Sequence, residues 1–258
     1  MNIPFLKYSK VLAILSLTIL LIGCTKDENL NNFPSAFTKK VIIEEFSGEW
    51  CASCVTGTKK FLEILRNSPN TAIGVSIHSG DPLELQYPAI APFLISEFDI
   101  KYFPFALIDR TIDESLDWDV LVDQRTQIKY NAGLKLETEI IDNSLNIIIK
   151  YASTVDFDNV LLSVYLTEDN VPESSPGAQA AGGGNYIHQK VLREVLSSKI
   201  GDPIQLKKEI IYQKEYSINI SKYKKTDLNI VAFLHFGSSS QYEVINSNNV
   251  KAGESSDW

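Results

Sequence analysis

An apolar stretch of strand length at residues 41–46 leads into a segment with Val55, Phe61, Leu62 and Leu65 at helical spacing, and a second apolar stretch follows at 72–77. Strand, helix, strand in that order predicts two parallel strands joined by a right-handed crossover, because a twisted strand feeding a helix packs back on its sheet almost only in that sense. At the first junction stands Trp50-Cys51-Ala52-Ser53-Cys54. A helix start offers unpaired backbone N–H groups and the positive end of the dipole, both of which stabilise a thiolate on Cys51. Lowering a thiol pKa from about 8.5 to about 7 raises the thiolate fraction at neutral pH from roughly 3% to roughly half. Two residues between the cysteines put Cys54 on the same face of the first turn, deeper in, where it suits resolving a mixed disulfide.

Other readings of the pair compete. A structural staple across so few residues constrains the unfolded chain very little. A zinc site needs four ligands, and His78, His188 and His235 are scattered without metal-ligand spacing, so no metal is expected. An inert pair left from a lost redox role stays open.

Further helices are expected at 91–98 and 118–130, with an extended segment at 103–108 between them. Beyond Asn131 the texture changes. Strand-like runs at 134–140, 145–152, 160–167, 187–196, 210–220, 228–236 and 242–245 are separated by Asn, Asp, Gly and Ser, with no convincing helix among them. About seven such strands predict an antiparallel, immunoglobulin-like sandwich. The expectation is therefore an α/β domain at 39–131 followed by an all-β domain at 132–258. The interruption at 169–185 contains Pro172, Pro176 and Gly182-Gly183-Gly184 and reads as a mobile loop. It lacks the glycine and lysine pattern of a phosphate site, so no nucleotide is expected.

The N-terminal end is an address. Lys7 and Lys10 precede an apolar run at 11–22, and this basic-then-apolar order is what a secretion signal requires. Twelve helical residues rise only about 18 Å, short of a roughly 30 Å hydrocarbon core. The run ends Leu21-Ile22-Gly23-Cys24, which resembles the bacterial lipobox; that resemblance implies cleavage after residue 23 and a diacylglycerol on the Cys24 sulfur. Residues 24–38 then read as a flexible tether with too few apolar residues to pack. Lys26-Asp27-Glu28 resembles the surface-export signal of Bacteroidetes-type lipoproteins. Of the 258 residues, 24 are basic and 32 acidic, for a net charge of −8; removing 1–23 takes Lys7 and Lys10 and leaves −10. No basic face is available for phosphate, so no nucleic-acid partner is expected.

The stretch from Val41 through Glu44, Glu45 and Trp50 to Cys51-x-x-Cys54 resembles the active-site strand and turn of the thioredoxin superfamily. That resemblance implies a thioredoxin-like fold for the first domain and a proton-relaying role for Glu45, six residues before Cys51. Strand alternation sets Glu45 on the face of Val41 and Ile43, with Glu44 opposite. A carboxylate held among apolar side chains has a raised pKa; an exposed strand-end glutamate is the competing reading. Lys101-Tyr102-Phe103-Pro104 resembles the superfamily's cis-proline element, which implies that Pro104 and Phe103, with Trp50, line a groove for an extended polypeptide. The proline usual near the second cysteine is missing; Val55-Thr56-Gly57 stands there, so the family's redox potential is not transferable. His78 reads mainly as a cap for the turn at Ser79-Gly80-Asp81-Pro82, and His188 as structural.

The lipobox, the Glu44-Glu45-Phe46-x-Gly48-x-Trp50-Cys51-x-x-Cys54 strand, Tyr186 to Arg193, Ile230 to His235 and Tyr242 to Ile245 together resemble the Omp28-related outer-membrane lipoproteins. The resemblance implies a lipid-anchored outer-membrane protein on the periplasmic or surface face. The functional expectation is a tethered thiol-disulfide oxidoreductase acting on the thiols and disulfides of extracytoplasmic polypeptides. Cys51 would attack and Cys54 resolve, without a cofactor because the electrons reside on sulfur. The alternative is a surface binding or adhesion lipoprotein that uses the thioredoxin-like domain as a scaffold and the sandwich for its partner.

Overall fold

The computed structural model describes residues 25–27, 33–114, 117–179, 184–237 and 242–258; the expected signal segment 1–23 and Cys24 lie outside the described residues. The first half forms as its periodicity requires. Strand β2 (Val41–Ser47) follows the short β1 (Thr25–Asp27), then come helix α1 (Cys54–Asn67), β3 (Ala72–His78), α2 (Ile90–Glu97), β4 (Phe105–Ile108) and α3 (Trp118–Thr126). β2 and β3 pair in parallel from Val41↔Ala72 to Ser47↔His78, and β4 lies antiparallel along the other edge of β2.

Every residue of β2, β3 and β4 is buried because helices cover both faces of this sheet. Val41 and Ile43 meet Phe61 and Ile64 of α1, while Ile42, Phe46, Ile73 and Val75 meet Ile90 and Leu94 of α2. α1 buries Cys54, Gly57, Thr58, Phe61 and Ile64, one stripe at helical spacing. The helix runs so close to β3 that a Cβ on Gly74 would stand 2.4 Å from Leu65 and from Phe61.

The second half is antiparallel: β5 (Ala132–Ile141), β6 (Ser144–Ser153), β7 (Phe157–Glu168), β8 (Val171–Pro172), β9 (Ile187–His188), β10 (Val191–Val195), β11 (Asp202–Leu206), β12 (Ile211–Asn219), β13 (Leu228–Phe236) and β14 (Val244–Lys251). Strands β1, β12, β6 and β5 form one sheet. The other is eight-stranded, in the order β14-β13-β7-β10-β3-β2-β4 with β11 also on β7, so it continues across residue 131 and joins both halves. Its seam is the parallel contact Val191↔Ser76 and the bond from the Ser76 N–H to the Lys190 carbonyl at 2.8 Å.

Strands β7 and β13 belong to two cores at once. Leu162, Val164, Ile230, Ala232 and Leu234 face Leu136, Ile147 and Ile149 inside the sandwich, whereas the alternate residues Tyr165, Val231 and Phe233 face the α2 side of the sheet. The whole is a mixed α/β structure dominated by strand.

Several expectations need correction. The run at 187–196 splits between β9 and β10, with Lys190 at φ 58° in the break. The last helix stops at Thr126 rather than residue 130. The segment 169–185 is not wholly a free loop: it contributes β8, and Ser174 is bonded to Glu49. The tether also packs in part. Thr25–Asp27 pairs with β12, and the Phe37 ring meets those of Phe33 and Trp258.

Candidate functional site

The turn between β2 and α1 carries the cysteines. The Cys51 N–H donates to the Gly48 carbonyl at 2.9 Å and the Cys54 N–H to the Cys51 carbonyl at 3.2 Å, so Cys51 sits in the turn just ahead of α1 and Cys54 opens the helix. The two form a disulfide. Cys51 is 4% and Cys54 1% exposed, while Trp50 beside them is 57% exposed. The Trp50 indole is held by donation from Nε1 to the Ser79 carbonyl at 2.8 Å and stacks on Phe103 at 5.8 Å between ring centroids.

Phe103-Pro104 is a cis peptide. Pro104 abuts the first turn of α1 at Gly57, where a Cβ would fall 2.4 Å from the proline Cβ. Glycine at 57 therefore lets the proline approach the cysteine end of the helix. Trp50, Cys51, Cys54, Phe103 and Pro104, distant in sequence, converge on one shelf.

Glu45 is fully buried, which excludes the exposed strand-end reading. It lies on the α1 face and accepts from Thr58 Oγ1 at 2.5 Å and Ser76 Oγ at 2.9 Å. Thr58 is one helical turn beyond Cys54, so the carboxyl sits beneath the deeper sulfur's own helix face. Burial pushes its pKa up, against the lowering effect of the two hydroxyl bonds and of His78. Thr58 and Ser76 were not singled out in the sequence, although Ser76 stands directly opposite Glu45 in the parallel register.

A buried polar cluster next to the Trp50 turn was also missed. His78 Nδ1 is 2.7 Å from Asp81 Oδ2, in keeping with the turn-cap reading, and the same oxygen accepts the Glu49 N–H at 2.8 Å. Contrary to their scattered sequence positions, His78 and His188 meet edge to face at 4.8 Å. Glu49 accepts the Ser174 N–H at 2.7 Å and the Ser174 hydroxyl, and its Oε1 is 3.4 Å from His188 Nε2. Burial first, then His78, pushes the His188 pKa down to about 4, outweighing Glu49 and Asp81, so this imidazole is neutral at pH 7. The β8–β9 hairpin of the second half thus clamps the residue two before Cys51. The paired cysteines, Glu45 and the shelf of Trp50, Phe103 and Pro104 are visible in sequence; this clamp depends on strand pairing between distant segments.

Among the described residues no group of three or more His, Cys, Asp or Glu side chains is placed to hold a metal ion. A hollow of about 510 Å³ runs along α1 toward α3 between Lys59, Lys60, Glu63 and Asp123, and neither cysteine lines it. No helix among the described residues is long and apolar enough to cross a membrane.

Among solved structures the chain resembles HBP35 of Porphyromonas gingivalis, with a TM-score of 0.72 and 16% identity over 85% of this chain and 77% of that one. It also resembles protein AGR_C_4864 from Agrobacterium tumefaciens, with a TM-score of 0.56 and 12% identity over 87% of this chain and 98% of that one. At such identities the likeness speaks for fold alone. No curated protein matches the chain. The family described as outer membrane protein Omp28 matches residues 92–256, a span that includes Phe103, Pro104 and all but the last two residues of the second half but begins after the cysteines. With well over half of its length matched, the chain belongs to the outer membrane protein Omp28 family.

Proposed function

We propose that this protein is an outer-membrane-tethered thiol-disulfide oxidoreductase acting on exported polypeptides. In this reading residues 39–131 are a thioredoxin-like unit, residues 132–258 an immunoglobulin-like sandwich, and the tether is the lipid on Cys24. The observation that carries it is the Cys51–Cys54 disulfide at the start of α1, beside the Phe103-Pro104 backbone and over the buried Glu45.

In the reducing direction the Cys51 thiolate attacks a substrate disulfide, forming a mixed disulfide and releasing one substrate thiolate. Glu45 takes the Cys54 proton, and the Cys54 thiolate attacks Cys51 Sγ. The second substrate thiolate leaves and is protonated, two electrons have passed to the substrate, and the Cys51–Cys54 disulfide is restored. The reverse sequence oxidises a dithiol. The stacked Trp50 and Phe103 rings give sequence-tolerant apolar contact, and no cofactor enters the cycle.

The near-complete burial of both sulfurs favours a second reading, a binding lipoprotein in which the first unit is scaffold and the sandwich engages the partner. Trapping separates the two. Under the first reading, Cys54→Ser accumulates mixed disulfides through Cys51 and the wild type reduces insulin with dithiothreitol as electron source. Absence of both leaves the binding reading.

A further inference from the structure

Ser53 stands where a serine ordinarily turns its hydroxyl onto an N–H of the first helical turn, yet it makes no such cap bond. Its Oγ lies 3.4 Å from Cys51 Sγ and donates to the Phe103 carbonyl oxygen at 3.3 Å. A hydroxyl has a single proton and serves one of these acceptors at a time. In the disulfide, sulfur is a weak neutral acceptor and the carbonyl takes the proton. A thiolate is charged, and hydrogen bonds to charged acceptors are roughly twice as strong as neutral ones.

The geometry points to Ser53 as a further catalytic residue, whose hydroxyl proton moves from the Phe103 carbonyl in the disulfide to the Cys51 thiolate in the reduced protein. The inference rests on the thiol-disulfide reading and deepens it. Phe103 immediately precedes Pro104, and its ring stacks on Trp50 at the shelf. Its carbonyl, once released, accepts a backbone N–H from an extended polypeptide. The reduced protein is then the form that holds substrate, and closure of the Cys51–Cys54 disulfide returns the hydroxyl to the carbonyl and displaces the product. When a dithiol reduces the pair, the dithiol becomes a disulfide, two electrons pass to the cysteines, one of its protons stays on Cys54, and the other goes to solvent from Cys51.

Ser53 is exposed, so Ser53→Ala is expected to fold, with an unchanged melt as control. Three readouts are taken on the full chain, oxidised and reduced with dithiothreitol. Titration of thiolate absorbance should put the Cys51 pKa about one unit higher in Ser53→Ala, a tenfold loss of thiolate below the pKa, with Ser53→Thr restoring it. The Phe103 carbonyl ¹³C shift should change on reduction in the wild type and stay fixed in Ser53→Ala. kcat/KM for insulin should fall in Ser53→Ala by the same factor as the thiolate fraction. Equal Cys51 pKa values in wild type and Ser53→Ala, or a wild-type Phe103 carbonyl that ignores redox state, would overturn the inference. Insulin reduction unaffected by Ser53→Ala removes the hydroxyl's role and leaves the oxidoreductase standing. The expected titration and carbonyl response without any insulin reduction leaves the proton exchange standing and removes the oxidoreductase.

Discussion

Arg110→Met tests how the two halves are locked together. Arg110 follows β4 and is fully enclosed: Nε is 3.0 Å from Glu44 Oε2, Nη2 is 3.3 Å from Glu44 Oε1 and 3.0 Å from the Tyr165 hydroxyl, and the guanidinium lies 4.8 Å over the Phe233 ring. Glu44 belongs to the first half, Tyr165 and Phe233 to the second. Removing the cation leaves a carboxylate with no countercharge in the shared sheet, which typically costs about 3–5 kcal/mol. At about 2–4 °C per kcal/mol for a chain of this size, the midpoint should fall by roughly 6–20 °C. Replacing both partners, Glu44→Leu with Arg110→Met, removes the orphaned charge and should recover most of the loss. Calorimetry with urea titration measures both. A loss under about 1 kcal/mol in Arg110→Met, or a double variant no better than the single, would show that the Glu44–Arg110 pair does not lock the halves together.

Three other outcomes follow from the same geometry. Burial raises the Glu45 pKa above its ordinary 4.5, so between that value and the folded pKa the native state holds the extra proton and stability drops as pH rises; Glu45→Gln should be more stable than wild type toward alkaline pH yet slower in insulin reduction, as paired melts and assays across pH will tell. His235 is held neutral by burial and by Arg110, well below its ordinary 6.5, so stability is complete above that pH and is lost as pH falls beneath it; an acid melt series should lose this slope in His235→Gln. Gly57→Ala places a Cβ 2.4 Å from Pro104, an overpacking cost of about 1–3 kcal/mol set against about 1 kcal/mol of helix propensity, and the displaced proline should slow insulin reduction more than it lowers the melting point.

Sequence was most informative where structure is local. The strand-helix-strand period at Val41 to Ile77, the cysteines at its junction and the alternation that separates Glu44 from Glu45 need only neighbouring residues. What escaped needs the non-local pairing of the shared sheet. His78 and His188 are 110 positions apart and meet only because β10 adds to β3. The sequence pattern ends the last strand at Ile245 because Asn246, Ser247, Asn248 and Asn249 look like a turn, yet the Asn246 and Asn248 amides donate to the Ala132 and Leu134 carbonyls, and these polar side chains are thereby satisfied inside the protein. β11 was missed because Asp202-Pro203 reads as a break; it pairs along β7 beyond the end of β10. The change of texture near residue 131 was legible, but the continuity of one sheet across it was not.

Thiol-disulfide exchange at the turn before α1 requires Cys51 to be the poised sulfur of the pair. Alkylation of the reduced protein by iodoacetamide from pH 5 to 10, read by mass at each cysteine, measures that poise. Cys51 should be modified first, with a midpoint at about 7 or below, and Cys54 should be protected. Equal rates at both cysteines with a midpoint near the unperturbed value of about 8.5 would mean that the fold activates neither sulfur.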